Sequence, residues 1–192
     1  MLPVFPTSYF GNTNYFSLIL KQDKIILEAK ENYIKQTFRS RCEILTGNGL
    51  KQLSIPVIRK NGSKTSIDEV EISYETDWRK DHWKAIESAY SNSSYFDHYG
   101  SEVKDLIYHN ESNLLKFNEN IRSRICSWLG IELQVFPSET YQNLTFKEFD
   151  KSPNFKKYIQ VFGDYSSFES NLSILDSIFC LGPLARNHIS SR

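Results

Sequence analysis

The chain has 192 residues, of which 40% are hydrophobic and 24% charged, and its 23 basic and 23 acidic side chains leave no net charge. That size fits one domain spanning 1–192 with a sizeable core. The charge balance excludes general attraction to nucleic acid or acidic lipid, so an anion site must come from a local cluster. Cys42, Cys126 and Cys180 are odd in number and widely spaced, which excludes a disulfide framework or CxxC metal site and fits thiols in a reducing cytoplasm.

The opening M-L-P-V-F-P has neither a basic start nor a long apolar run, so no secretory signal is expected. No window approaches the ~20 apolar residues of a membrane span. Residues 14–22 are apolar on one side and predict a short helix, and K-I-I-L-E at 24–28 predicts a strand. Residues 36–45 and 50–59 read as two strands around T-G-N-G, and I-D-E-V-E-I-S-Y at 67–74 as a further one.

The period then changes. Thr76 or Asp77 can cap a helix running to about Ser91, with Trp78, His82, Ala85, Ile86, Ala89 and Tyr90 on its apolar side. Residues 94–108 give a second helix. Residues 113–129 give a third, with Gly130 as its stop. Residues 132–136 read as a weak strand. Residues 146–168 are polar and broken by Pro153 and Gly163, with a short strand expected at 158–162. Asn171 caps a final apolar helix closed by Gly182-Pro183. Strands first and helices later predict an α+β or mixed α/β fold: an N-terminal mixed sheet with hairpins, covered by C-terminal helices.

The block Y-I-K-Q-T-F-R-S-R at 33–41 carries the strongest chemical signal. Read as a strand, it puts Tyr33, Lys35, Thr37, Arg39 and Arg41 on one face. Three cations roughly 7 Å apart along that face then call for an anion. The bland alternative is a solvated face balanced by Glu28, Glu31 or Glu43.

His82, on an apolar helix face, is either a general base with a tuned pKa or a satisfied core histidine. Cys42 is either a nucleophile activated by its arginine neighbours or a small buried hydrophobe. Tyr9, Tyr15, Tyr33 and Tyr90 form a pocket wall or pack in the core. Asn12 and Asn14 bind a sugar or amide, or simply make their turn. GxGxxG, Walker, HExxH and GxSxG motifs are all absent.

The order of segments resembles the WbqC-like family. The resemblance rests on several stretches in sequence: Pro6, Tyr9, Phe10, Tyr15 and Phe16; Asn32 to Arg41; L-S-I-P-V at 53–57; Trp78, His82, Ile86, Ala89 and Tyr90; Tyr95-Phe96; and the tail from Tyr158 to Pro183. The tail looks like that of compact Bacteroidetes-type members. Cys42 and Cys180-Leu181 depart from the family pattern, which tells against a mechanism built on these cysteines.

The resemblance implies a bacterial, cytoplasmic transferase of surface-polysaccharide (O-antigen, lipopolysaccharide) biosynthesis. It would join an acyl or aminoacyl group to the amine of a nucleotide-linked amino sugar, without a cofactor. On that reading His82 is the base, and Lys35, Arg39 and Arg41 hold a diphosphate or the phosphopantetheine of an acyl carrier. Asn12, Tyr33 and Tyr90 would contact the acceptor. The rival expectation is a non-catalytic binding or scaffold subunit of a glycan assembly complex.

Overall fold

The computed structural model of the chain describes residues 2–142, 149, 151, 154–163 and 168–190. Strand β1 (Val4–Phe5) runs through a loop into helix α1 (Thr13–Ile19), which begins where the Asn12 side chain accepts the Tyr15 backbone N–H at 2.8 Å. α1 carries the chain over to β2 (Lys24–Leu27), which pairs in parallel with β1, Val4 beside Ile26 and Phe5 beside Leu27. A parallel pair needs such a crossover, and here it is one short helix.

Next comes a hairpin, β3 (Arg41–Thr46) and β4 (Gly49–Ser54), turning at Gly47-Asn48. β5 (Val57–Ile58) pairs antiparallel with β6 (Glu71–Ile72). Three helices follow: α2 (Trp78–Tyr90), α3 (Phe96–Tyr108) and α4 (Leu114–Trp128). Asp77 caps α2, Asn113 caps α4, and Gly130 takes the left-handed φ of 61° just beyond α4. β7 (Gln134–Pro137) then returns to lie parallel on the free side of β2, giving the order β1-β2-β7. The chain ends in α5 (Ile174–Leu181) and α6 (Ala185–Ser190).

The α+β character is as expected, but the strands divide into three separate sheets rather than one. Five element expectations need correction. Residues 50–59 are not one strand but split into β4 and β5, which belong to different sheets. Residues 33–40 are loop, and β3 begins only at Arg41. Residues 67–74 hold a 3-10 turn (Ile67–Glu69) and the two-residue β6. Residues 158–162 form no strand. α5 is capped by Ser173, whose hydroxyl accepts the Leu175 N–H at 3.3 Å, and not by Asn171. Of the polar stretch 146–168, residues 146–148, 150, 152, 153 and 164–167 lie outside the described residues.

One apolar cluster runs from Phe5 to Ile189 through the parallel sheet, the inner side of the hairpin and every helix. Full burial of each large side chain in it is worth roughly 1.5–3 kcal/mol. Among the described residues no helix is long and apolar enough to cross a membrane.

Candidate functional site

In sheets of parallel strands the loops that leave the carboxyl ends are free to hold ligands, because the helices and the core occupy the faces. Here the loops after β1 and β2 leave that edge side by side, and the β3–β4 hairpin stands against them. Between them lies a cavity of about 240 Å³. Phe10 and Asn12 come from the first loop, Gln36, Thr37 and Phe38 from the second, and Arg41, Cys42, Glu43 and Gln52 from the hairpin. Asn171 and Ser173 close it ahead of α5.

The segment before α5 stitches these walls together. Ser173 N–H donates to the Glu43 carbonyl at 2.8 Å, and Ser173 Oγ donates to the Phe10 carbonyl at 2.8 Å. The Ile174 and Thr13 amides bond Gly11 and Leu172 at 2.9 and 3.0 Å. The Tyr9 amide reaches across to the Phe38 carbonyl at 2.9 Å and joins the two loops.

Two non-glycine residues among those described have positive φ, Phe10 at 39° and Gln36 at 60°, and both line this cavity. For a side chain as bulky as Phe such a conformation costs on the order of 1–3 kcal/mol, and it persists only where surrounding bonds over-determine it. Phe10 is fully buried and bonded on both sides, which supplies that constraint. Strain concentrated on one cavity is the mark of a site shaped for more than stability.

The walls are rich in amides and hydroxyls. Gln36 and Gln52 offer amide donors and acceptors, Asn12 and Asn171 keep one N–H each beyond their bonds to the Phe149 and Lys151 carbonyls, and Phe10 and Phe38 offer apolar surface. Arg41 and Glu43 are two apart on β3 and share its open face, with Glu43 directly across from Gln52. Among the described residues neither Arg41 nor Glu43 has an ion-pair partner. The cavity wall thus combines a cation, an anion and several amides.

The residues singled out in the sequence scatter differently. Asn12 and Arg41 reach the cavity. Arg39 does not: it is 0% exposed, and its guanidinium forks onto the Glu31 carboxylate with two bonds of 2.6 Å. Its carbonyl is held by Asn118 at 2.8 Å. The expected row of Tyr33, Lys35, Arg39 and Arg41 on one strand face is therefore overturned, because a loop carries the first three and Arg39 turns inward. Tyr33 is buried with its hydroxyl 2.6 Å from Ser40 Oγ, while Lys35 stays exposed.

His82 lies in the core at 5% exposure. Tyr9 Oη bonds its Nδ1 at 2.8 Å, and its other contact is the Ser54 backbone. Burial, outweighing that backbone contact, pulls its pKa down to about 4. Cys42 lines the cavity wall but is largely buried, and burial with Glu43 beside it pushes its thiol up, away from a nucleophile's range.

Tyr90 is fully buried with its hydroxyl beside Asp176, a carboxyl 1% exposed that burial pushes upward. Tyr158 Oη and Gln160 Nε2 both donate to Asp176, clasping residues 158–160 onto α5. In the sequence Glu43 reads only as a counter-charge and Asn171 only as a helix cap, and Gln52 and Ser173 carry no signal. A polar residue on a hairpin or in a loop has no period to mark it, and only the fold brings these four together.

A family model described as the WbqC-like protein family matches residues 7–148. The chain belongs to that family. The chain is also 29% identical, over 223 aligned positions covering 95% of it and 94% of the relative, to the uncharacterized protein Rv1507c of Mycobacterium tuberculosis. No solved structure matches the chain.

The WbqC-like motifs now have physical meanings. Tyr9 of the first stretch and Trp78 and His82 of the helical one meet in a single aromatic cluster: the Tyr9 ring lies 5.6 Å from that of His82, and Trp78 5.0 Å from it. Phe117 of α4 stacks on Tyr9 at 6.2 Å. Much of the motif spacing thus builds the floor on which the cavity rests.

Proposed function

We propose that the protein is a transferase of surface-glycan biosynthesis that places an acyl or aminoacyl group on the amine of a nucleotide-linked amino sugar, with the cavity of Asn12, Arg41 and Glu43 as its site. The observation that carries this is a strained, amide-lined cavity whose carboxylate and guanidinium have no ion-pair partner among the described residues. Sugar hydroxyls suit Asn, Gln and Ser partners, and an ammonium suits Glu43.

In the reaction the ammonium form of the amino sugar must lose a proton to free the nitrogen lone pair for attack. Glu43 accepts that proton. The nitrogen then bonds the carbonyl carbon of an activated acyl donor, such as a carrier thioester. The C–S bond breaks with its electron pair going to sulfur, and the second proton shed by the nitrogen ends on the departing thiolate, leaving a neutral amide and a free thiol. Arg41, with the second N–H of the Asn12 amide whose first is bonded to the Phe149 carbonyl at 3.1 Å, supplies donors for the negative charge that gathers on the carbonyl oxygen. The base role passes from His82 to Glu43, because His82 is enclosed at 5% exposure with its Nδ1 bonded to Tyr9 Oη.

Calorimetric titration of UDP-glucosamine against UDP-glucose tests this reading. The amino sugar is expected to bind about tenfold tighter, the scale of one charge-assisted hydrogen bond, and Glu43→Gln should erase the difference. Equal affinities for the two ligands in the native protein would overturn the assignment and favour a scaffold subunit.

A further inference from the structure

A second cavity, of about 390 Å³, lies against the first, and Gln36 and Arg41 line both. Its remaining charged groups are Lys35 and Arg59, so three cations and no carboxylate line it. Among the described residues none of the three has an ion-pair partner. Arg59 makes one long contact, Nη1 to the Gly62 carbonyl at 3.5 Å. The Tyr33–Ser40 hydroxyl pair and Ser54 complete the polar wall.

Three like charges around one concavity repel until an anion enters, and the low-dielectric wall strengthens its attraction. Guanidinium groups match phosphate oxygens with two parallel bonds each, and a lysine adds a point charge. Because Arg41 stands at the seam, a ligand crossing it would present its polar, amine-bearing part to Glu43 and an adjoining anion to Lys35 and Arg59.

We infer that the cavity of Lys35, Arg41 and Arg59 is a diphosphate site, which orients a nucleoside-diphosphate sugar with its sugar in the Glu43 cavity. This rests on the reading of that cavity as the amino-sugar site, and it replaces the enclosed Arg39 with Arg59 as the third cation. The phosphate of a carrier's phosphopantetheine shares part of this chemistry but carries a single phosphate ester, which leaves one arginine fork unfilled.

The test is titration with inorganic pyrophosphate, UDP and 4′-phosphopantetheine at fixed ionic strength. Native protein, Lys35→Ala, Arg59→Ala, Arg59→Lys and Glu43→Gln are compared, each first checked for an unchanged melting temperature without ligand. Lys35 is exposed and Arg59 half-buried, so these variants keep the fold. Pyrophosphate and UDP are expected to bind the native protein, to weaken about tenfold in Arg59→Ala and in Lys35→Ala, and to be only partly restored by Arg59→Lys.

Glu43→Gln should leave pyrophosphate binding intact. Unchanged UDP affinity in Arg59→Ala overturns the site, and phosphopantetheine binding in preference to UDP overturns the nucleotide assignment. UDP binding that depends on Arg59 without any preference for the amino sugar would keep this site and contradict the proposed reaction instead.

Discussion

Arg39 carries a full charge at 0% exposure, and the forked bond to Glu31 is what the fold supplies in return. Removing one partner leaves the other buried and uncompensated, a far larger loss than the pair's net worth. Arg39→Ala is expected to cost about 3–5 kcal/mol in urea unfolding, while Arg39→Met with Glu31→Leu recovers most of it. A single variant costing less than about 1 kcal/mol, the range of an exposed ion pair, would contradict the enclosed pair.

In the sequence the three cations of 33–41 look alike. Only the depth of each in the fold separates a structural Arg39 from an available Lys35 and Arg41, and depth has no local signature when the backbone is a loop.

His82 is the second residue whose role is set by burial. Its folded pKa of about 4 lies below the ordinary 6.5, so the unfolded chain takes up a proton that the folded one refuses. Its contribution is therefore complete above pH 6.5 and is lost as pH falls from 6.5 through 4, about 3 kcal/mol in all. His188, also pulled down to about 4 by burial, acts in the same sense. Asp176, pushed up, acts in the opposite one. The difference between native protein and His82→Gln isolates one ring. Between pH 6 and 4.5 it should narrow by roughly 1.4 kcal/mol per unit as the solution is acidified. Parallel pH profiles would show that His82 is not a buried neutral histidine.

At the scale of elements, the helices were the legible part, because α2 and α4 repeat apolar residues at 3.6-residue spacing between an Asp or Asn cap and a definite stop. The strands were less so. β5 and β6 are two residues long and have no period to read. At 33–41 alternation of charge imitates a strand, although Gln36 at φ 60° breaks any such run.

Glycines mark where elements end, and the space around each decides what a side chain would cost. Gly182, at φ 55°, closes α5 with the Tyr95 ring 2.5 Å from where a Cβ would stand. Gly49, at φ 96° in the hairpin, has open space there. Gly182→Ala must move the ring as well as strain the backbone, and is expected to cost about 2–4 kcal/mol. Gly49→Ala is expected to cost only the backbone part, about 1–2 kcal/mol. Equal losses of stability in the two variants would contradict the close packing of Tyr95 under α5.

For the molecule as a whole, the decisive pairing is β7 on β2, which joins residues more than a hundred positions apart and completes the parallel sheet. Nothing in the sequence of a weak four-residue strand states its partner. The edge of that sheet, and with it the meeting of Asn12, Gln36, Glu43 and Asn171, was accordingly out of reach. Asn12 and Arg41 could be singled out, and both line the cavity, because their residue types in a turn and a basic block are suggestive by themselves.

The proposed bipartite site at this edge would take a nucleotide-linked amino sugar across Arg41. Backbone amide NMR shifts, recorded as UDP-glucosamine is added, test it most directly. The largest shifts are expected on Asn12, Gln36, Arg41, Glu43 and Ser173 for the sugar and on Lys35 and Arg59 for the diphosphate, with UDP alone moving only the latter group and Arg41. Shifts centred elsewhere, or no shifts at saturating ligand, would contradict it.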